Sequence, residues 1–235
     1  VAQNWKREPV KNGHTFKVEK LQSPIGGYIN DFNTSSSDFI LSDFDIYTER
    51  NFENGALHSP HPYPSPDEDD AEFNFITTLK YPIILTDQAI MTFDEVVLVE
   101  PGSAGTGFGD FEFWDFVVVE GSNDDGVTWL PLFNGYDSRA EPVWLENYNK
   151  VSEDMNSTTL GESDWFISRE IDMTENGNFA SGDTILIRFR LFSDPYAHGW
   201  GWAIDNLRIQ YPVSSEAPVL SPGNIVAYPN PFNDA

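Results

Sequence analysis

The spacing of apolar residues constrains the fold of this chain more than any other feature, because it lacks the period of an amphipathic helix. No window of about 12 residues places apolar side chains at i, i+3, i+4 and i+7 without glycine, proline or strand-like alternation. Residues 112–120 are instead rich in aromatic and β-branched side chains. In residues 183–192, apolar side chains alternate with Arg188 and Arg190. The sequence therefore predicts strands almost throughout.

Turn signals separate the predicted strands. Residues 120–126 contain glycine, asparagine and aspartate, which tolerate the positive φ of a hairpin turn. Further strands are expected at residues 89–100 and in the segment that contains Val127, Trp129 and Leu132. Short strands with few helices are typical of β-sandwiches and jelly rolls. We predict an all-β fold, a jelly-roll β-sandwich of two antiparallel sheets, followed by an extended Pro-rich C-terminal tail.

The composition excludes several classes of function. The 13 Lys and Arg residues stand against 38 Asp and Glu residues, which gives a formal net charge of −25. Nucleic-acid binding needs clustered basic residues, and an anionic membrane repels such a chain. Cysteine is absent, so neither disulfides nor thiolate metal sites stabilise the fold. The chain is 40% hydrophobic and 14% aromatic, which is too rich for a disordered acidic protein.

Local changes in composition divide the sequence into three parts. Residues 1–13 form a polar lead-in, residues 14–211 form the predicted jelly-roll domain, and residues 212–235 form a Pro-rich linker. Within the domain, residues 59–66 carry a proline at every second position, which favours extended, unpaired backbone. An acidic run, residues 67–70, follows directly. We therefore expect an exposed loop there.

Several segments resemble a known domain family. Residues 198–209 (His-Gly-Trp-Gly-Trp-Ala-Ile-Asp-Asn-Leu-Arg-Ile) resemble the closing strand of MAM-like and immune-inhibitor-A-like jelly rolls of secreted proteins. Residues 54–60 and the hairpin at residues 118–129 are similar to earlier family segments in the same order, although Asp125 replaces a usual glycine. The resemblance covers roughly residues 55–210 and implies the fold. Such jelly rolls accompany peptidases, adhesins and glycan binders alike, so it leaves the function open.

A second resemblance lies in the tail. Residues 227–234 (Ala-Tyr-Pro-Asn-Pro-Phe-Asn-Asp) resemble the opening strand of the C-terminal sorting domain of the type IX secretion system, although an ordinary turn is the alternative. The resemblance implies export, and thus a secreted, extracellular or outer-surface location. Because Val1 does not open a signal peptide, we expect it to follow processing.

Calcium is the predicted cofactor, in a structural role. It takes six to eight oxygen ligands, which suits a chain rich in carboxylates and free of cysteine. The family resemblance implies Asp205 as a ligand, because related jelly rolls often hold a structural calcium at this position of the closing strand. Acidic loops add further candidates, although such loops are often merely solvated: Asp67, Asp69, Asp70 and Asp45.

The sequence predicts no catalytic residues. The four histidines form no His-Glu-x-x-His pattern, and the chain contains no Gly-x-Ser-x-Gly motif. Glu112 and Asp115 are the best candidates for a glycosidase pair, but strand alternation places them on opposite faces. We therefore expect no enzyme, with a carboxylate glycosidase or lyase as the catalytic alternative.

Aromatic residues near the end of the domain are the predicted ligand-binding residues. Tyr196, His198 and Trp200 fall at every second position, so an extended chain would present them on one face where a sugar could stack. Packing in the core is the alternative, and it is the one we favour for Trp202.

These observations favour a non-catalytic extracellular or cell-surface module for adhesion or self-assembly, including a filament or lattice subunit whose tail joins a neighbour by strand addition. The alternative is a glycan-binding accessory domain of a secreted hydrolase or peptidase. The expected partners are copies of the chain itself, other surface proteins or glycans. Nucleic acid and direct membrane insertion are not expected.

Overall fold

A computed structural model describes residues 20–64, 72–150, 152–153 and 156–211, and within these ranges the predicted all-β sandwich is confirmed. Two antiparallel six-stranded sheets pack around one hydrophobic core. The predicted lead-in and tail lie outside the described residues, so the domain boundaries stay predictions.

The strands follow one another in chain order. They are β1 (Tyr28–Asn30), β2 (Phe39–Ile40), β3 (Asp45–Tyr47), β4 (Ala56–His58), β5 (Phe73–Leu79), β6 (Ile83–Ile84), β7 (Ile90–Leu98), β8 (Phe116–Ser122), β9 (Leu130–Pro131), β10 (Ser152–Glu153), β11 (Asn156–Ser157), β12 (Ile167–Asp172), β13 (Thr184–Ser193) and β14 (Gly201–Ile209). The first sheet has the order β12-β7-β14-β4-β3, with β1 also paired to β14. The second sheet has the order β2-β5-β13-β8-β9, with β6 also paired to β13. Strands β10 and β11 form a separate small ladder.

Strand β13 shows why the sequence pattern predicts this sheet. Ile185, Ile187 and Phe189 point into the core and are fully buried, whereas Arg188 and Arg190, at alternate positions, point outward. Successive side chains of a strand face opposite sides, so a sheet with one buried face needs this alternation. The predicted alternation of residues 183–192 is confirmed.

A buried glutamate, Glu95, is paired with a cation and with hydrogen-bond donors inside the domain. Glu95 on β7 forms an ion pair with Arg169 on β12, with 2.8 Å between Oε1 and Nε. Its other oxygen, Oε2, accepts hydrogen bonds from the indole of Trp202 at 2.8 Å and the hydroxyl of Tyr136 at 2.7 Å. Buried charges need such partners, because an unpaired carboxylate in a core is strongly unfavourable.

Some local predictions are wrong in detail. The strand predicted at residues 112–120 begins only at Phe116, and the strand predicted around Trp129 is limited to Leu130–Pro131. The turn between them is as expected, since Asp125 and Gly126 have φ of 60° and 83°. Helical structure is also present in the described residues, and its bounds are α1 (Pro142–Lys150) and two short 3₁₀ helices (Ser138–Ala140 and Ser163–Trp165). None of the helices in the described ranges is long and apolar enough to cross a bilayer.

Candidate functional site

Three carboxylates converge at one end of the sandwich, and we call them the carboxylate cluster: Glu100, Asp115 and Asp194. Glu100 follows β7 by two residues, Asp115 directly precedes β8, and Asp194 directly follows β13. Because β8 and β13 pair antiparallel, with Phe116 opposite Phe192, the start of one strand meets the end of the other. One oxygen from each of the three carboxylates lies within 4.8 Å of the other two. The cluster thus joins a strand end of the first sheet to two of the second.

Hydrogen bonds from neutral groups hold the centre of the cluster. The backbone N–H of Asp194 donates to Oδ1 of Asp115 at 2.8 Å, and the hydroxyl of Tyr63 donates to Oδ2. The same hydroxyl accepts the backbone N–H of Glu100 at 3.1 Å. Oε2 of Glu100 is buried and has no hydrogen-bond partner within the described ranges. The cluster is therefore well positioned but incompletely satisfied.

The electrostatics of the cluster oppose ionisation. Burial raises the pKa of Glu100 to about 7, and the charge of Asp194 adds to this. Burial also raises the pKa of Asp115 well above its usual range, and it raises that of Asp194. Neighbouring carboxylates that lack a cation hold protons more tightly. A bound cation would lower the pKa values of these carboxylates, because it favours their charged form.

The geometry of the cluster suits a hard divalent cation. Calcium binds oxygen at 2.3–2.6 Å, so two ligand oxygens of one ion lie at most about 5 Å apart. The 4.8 Å limit among the three carboxylates meets this requirement. Each carboxylate oxygen has two lone pairs, so Asp115 can keep its hydrogen bonds while it binds an ion.

The structure places the predicted metal ligands elsewhere. Asp205 lies opposite Asp94 in the pairing of β14 with β7, and burial raises its pKa to about 6. Asp45 is exposed at the start of β3. Neither belongs to the carboxylate cluster, and three further candidates lie outside the described residues: Asp67, Asp69 and Asp70. Calcium binding at these five residues stays a prediction.

The predicted face of three aromatic residues is not formed. Residues 194–200 are not a strand, so the period of two does not apply to them. Tyr196 is 59% exposed, but Trp200 is only 2% exposed and stacks on His61 with ring centroids 3.7 Å apart. His198 is half-buried, and its backbone N–H donates to Asn156 at 2.9 Å. The interpretation of a shared exposed face is wrong, whereas ligand binding by the individual residues stays a prediction. Trp202 is fully buried, as expected.

Two histidines next to Trp200 form a close pair, in which His58 is buried and His61 is half-buried. Nδ1 of His58 lies 2.8 Å from Nε2 of His61, and Nδ1 of His61 lies 2.7 Å from the carbonyl oxygen of Trp200. A carbonyl only accepts, so Nδ1 of His61 carries a proton and its Nε2 accepts from His58. Burial lowers the pKa of His58 to about 3 and that of His61 to about 4. Both rings are therefore neutral near pH 7.

The outer face of the second sheet holds two arginines that share one glutamate. Nε of Arg188 donates to Oε2 of Glu120 at 2.6 Å. Arg190 donates to the same carboxylate from Nε at 2.9 Å and from Nη2 at 2.8 Å, and its Nη1 donates to Asn74 at 2.9 Å. Burial alone would raise the pKa of Glu120, but the hydrogen bonds and charges of the arginines outweigh burial and lower it. Glu120 therefore stays ionised.

Aromatic rings flank these arginines. The guanidinium of Arg188 lies 4.3 Å from the ring centroid of Trp129, and that of Arg190 lies 5.3 Å from Phe116. Phe116 stacks on Phe192, with centroids 4.8 Å apart and an interplanar angle of 14°. All three rings are half-buried, so part of each reaches the surface. We call these rings, with Arg188, Arg190 and Glu120, the aromatic–arginine face.

An open cleft of about 480 Å³ continues this face. Phe108 lines the cleft, and its ring centroid lies 5.1 Å from that of Phe116 on the face. The cleft is also lined by Phe113, Phe133, Tyr136, Arg139 and Arg169. Aromatic side chains with a few placed polar groups are typical of small-molecule sites.

Sequence reasoning missed most of these residues. The alternation of residues 183–192 already placed Arg188, Arg190 and Phe192 on one side, so this part of the face had a usable signal. The sequence signal for the carboxylate cluster was weaker: Glu100 and Asp194 each lie near the end of a predicted strand. Only the strand order shows that these two ends meet.

No family model matches the chain, and no curated protein matches it. Among solved structures, it is similar to a carbohydrate-binding module specific for non-crystalline cellulose (CBM28), with a TM-score of 0.44, 13% identity and coverage of 71% of this chain and 80% of that one. It is also similar to the K1 cleaved adhesin domain of Lys-gingipain from Porphyromonas gingivalis, with a TM-score of 0.44, 11% identity and coverage of 79% of this chain and 98% of that one. A third similar structure is the Caldicellulosiruptor saccharolyticus module CBM27-1, solved with mannohexaose, with a TM-score of 0.40, 11% identity and coverage of 79% of this chain and 97% of that one. At such identities the likeness concerns the fold alone, and the resemblances to MAM-like and sorting domains stay predictions.

Proposed function

We propose that this chain is a non-catalytic binding module of an exported protein, that it binds a glycan on the aromatic–arginine face, and that calcium at the carboxylate cluster stabilises its fold. The observation that supports glycan binding is the row formed by Trp129, the two arginines and the Phe116–Phe192 stack. Arg188 and Phe192 lie four positions apart on β13, a distance of about 13 Å along a strand. The row is therefore long enough for more than one sugar ring.

The chemistry of the row suits sugars. The C–H faces of a pyranose ring pack on aromatic rings, and its hydroxyls exchange hydrogen bonds with planar charged side chains. Glu120 and Arg190 already hold each other in place through two hydrogen bonds. A face that is ordered before binding loses less conformational entropy when the ligand arrives.

The same geometry argues against hydrolysis. A glycosidase needs two accessible carboxyl groups, one of which donates a proton. Glu120 accepts hydrogen bonds from two arginines on its oxygens and is held ionised, so it has no proton to give. Asp115 retains a proton readily, but it is 0% exposed. Binding without turnover is the function that these residues support.

Calcium would complete the carboxylate cluster. Oε2 of Glu100, which is buried and lacks a hydrogen-bond partner among the described residues, would bind the cation, and the repulsion among the three carboxylates would be reduced. Because Asp115 and Asp194 flank paired strands of the second sheet, the ion would fix one end of that sheet. Its role would thus be structural.

A glycan array with the purified chain in calcium tests the binding function. We expect binding to at least one oligosaccharide, with an affinity reduced about fivefold or more by Trp129→Ala, since stacking on an aromatic ring contributes about 1–3 kcal/mol. Phe111→Ala is the matched control, because Phe111 is 93% exposed and does not belong to the face.

Two results would contradict the proposed function. One is an array on which no glycan binds the folded, calcium-loaded chain. The other is glycan binding that Trp129→Ala leaves unchanged, which would place the site elsewhere on the surface.

A further inference from the structure

Building on the proposed glycan function, we infer that the ligand contains a uronic acid, a sugar with a carboxylate group, and that Arg188 binds this carboxylate. The inference concerns the class of sugar, and it rests on the charge and the free donors of the aromatic–arginine face. Arg188, Arg190 and Glu120 carry the argument.

The centre of the face has an excess of positive charge. Two guanidinium groups share the single carboxylate of Glu120, which leaves a net charge of +1 among the three residues. The whole chain has a formal net charge of −25. A local positive site on so acidic a protein favours an anionic group at that position, because complementary charge contributes to specificity.

The donors of the two arginines are used unequally. Arg190 donates from Nε, Nη1 and Nη2 to Glu120 and Asn74. Arg188 donates only from Nε, and its Nη1 and Nη2 have no hydrogen bond to the part of the chain that the structure describes. The Arg188 side chain is 17% exposed, so a ligand can reach it.

A carboxylate fits these two donors. The Nη atoms of a guanidinium form a planar fork that matches the two oxygens of a carboxylate, and such charge-assisted pairs are stronger than neutral hydrogen bonds. Trp129 holds the guanidinium against its ring, with 4.3 Å between Cζ and the centroid. The fork is therefore fixed before the ligand arrives.

The surroundings favour a sugar chain with isolated charges over a dense polyanion. Exposed acidic residues stand in the turn before β9 (Asp124 and Asp125) and in the loop before β8 (Asp110 and Glu112). They would repel a phosphate backbone. Neutral sugar rings beside one uronate can pack on Trp129 and on the Phe116–Phe192 stack while the carboxylate reaches Arg188.

The test is an array of paired oligosaccharides, each uronate beside its carboxyl-reduced neutral form. We expect the acidic member to bind about tenfold or more tightly than its partner, since one charge-assisted pair is lost on reduction. Arg188→Gln should remove this preference, and Arg188→Lys should restore part of it. Arg208→Gln, in the first sheet, is the control and should change nothing.

The outcomes separate the two proposals. Equal binding of both members of each pair would overturn the uronate inference and leave glycan binding intact. Failure of every member to bind would overturn both. A preference for acidic sugars that survives in Arg188→Gln would also overturn the assignment to Arg188, provided that the variant melts like the parent chain.

Discussion

Two acidic centres, around Glu95 and Glu100, lie five residues apart along the chain, and they differ in how their charge is balanced. Glu95 is balanced within the protein, by the guanidinium of Arg169 and by hydrogen bonds from Trp202 and Tyr136. Glu100 faces two further carboxylates, and its Oε2 has no hydrogen-bond partner among the described residues. In the first centre both carboxylate oxygens have partners, and the atom left without a hydrogen bond there is Nη2 of Arg169.

The difference shows how a structural acid can be told from a ligand-binding one. Burial alone does not separate them, because it raises the pKa of both Glu95 and Glu100. The two acids are distinguished by the number and the charge of the groups around each carboxylate. A carboxylate whose partners are cations and donors is part of the core, whereas one whose neighbours are other carboxylates is a candidate ligand for a cation.

The largest expected effect comes from a substitution that disrupts the ion pair of Glu95 with Arg169. Arg169→Ala leaves Glu95 buried without its cation, and we expect the free energy of unfolding to fall by about 3–5 kcal/mol. The loss should be the same in calcium and in EDTA, since Arg169 is not part of the carboxylate cluster. Urea unfolding in both buffers measures it. A loss that appears only in EDTA would mean that the two centres act as one.

The second prediction concerns the unbalanced centre. Calcium at 100 times its dissociation constant should raise the free energy of unfolding by about 2.7 kcal/mol. Asp115→Asn should abolish this gain and should also lower the stability in EDTA by about 1–3 kcal/mol, because an amide nitrogen cannot accept one of the two hydrogen bonds that Asp115 receives from Tyr63 and Asp194. Asp45→Asn is the control, and melting curves with calcium and EDTA provide the measurement.

Two outcomes would count against the cluster. Identical melting curves of the parent chain in calcium and EDTA would exclude a stabilising ion. Loss of the calcium effect in Asp45→Asn, with Asp115→Asn unaffected, would favour the site predicted from the sequence over the one seen in the structure.

The third prediction concerns pH. Glu100 has a pKa of about 7 in the folded chain against an ordinary value of 4.5, so the folded chain keeps a proton that the unfolded chain loses. Stability without calcium should therefore fall as pH rises from about 4.5 to about 7. Calcium must displace this proton, so its affinity should increase about tenfold between pH 6 and pH 8. Titration calorimetry at the two pH values checks this, and equal affinities would contradict it.

The histidine pair acts in the opposite direction over part of this range. His58 and His61 have pKa values of about 3 and about 4 in the folded chain, below the ordinary 6.5. Their contribution is complete above pH 6.5 and decreases as pH falls toward 4, because the unfolded chain takes up the protons first. Glu100→Gln removes the carboxylate contribution alone. Comparing its calcium-free pH profile with that of the parent chain isolates Glu100.

The local pattern predicted the sheets well. Alternation along residues 183–192 is a property of the strand itself, so it correctly assigned Ile187 to the core and Arg188 to the surface. The helix α1 was missed because it is only nine residues long, shorter than the windows in which helical spacing is visible. Pro142 at its first position was the available signal.

The sites needed information that the local pattern does not contain. Asp115 and Asp194 are 79 residues apart, and they meet only because β8 pairs with β13. The interpretation of Trp200 as exposed assumed extended backbone, but Gly199 and Gly201 let the chain approach other segments closely. A Cβ on Gly199 would lie 2.2 Å from the carbonyl oxygen of Leu98. Close backbone contacts of this kind leave no periodic pattern in the sequence, so the pattern could not predict them.

The strand order has a consequence for the time at which the fold can form. The last two strands of the described residues, β13 and β14, each pair on both sides, β13 between β5 and β8 and β14 between β7 and β4. The second sheet cannot form completely until β13 has left the ribosome, and the first sheet cannot do so until β14 has left it. The partners then join across long sequence separations, which is slow in β proteins. The nascent chain thus exposes unpaired strand edges until its synthesis passes Ile209, and in this interval it depends most on factors that prevent aggregation.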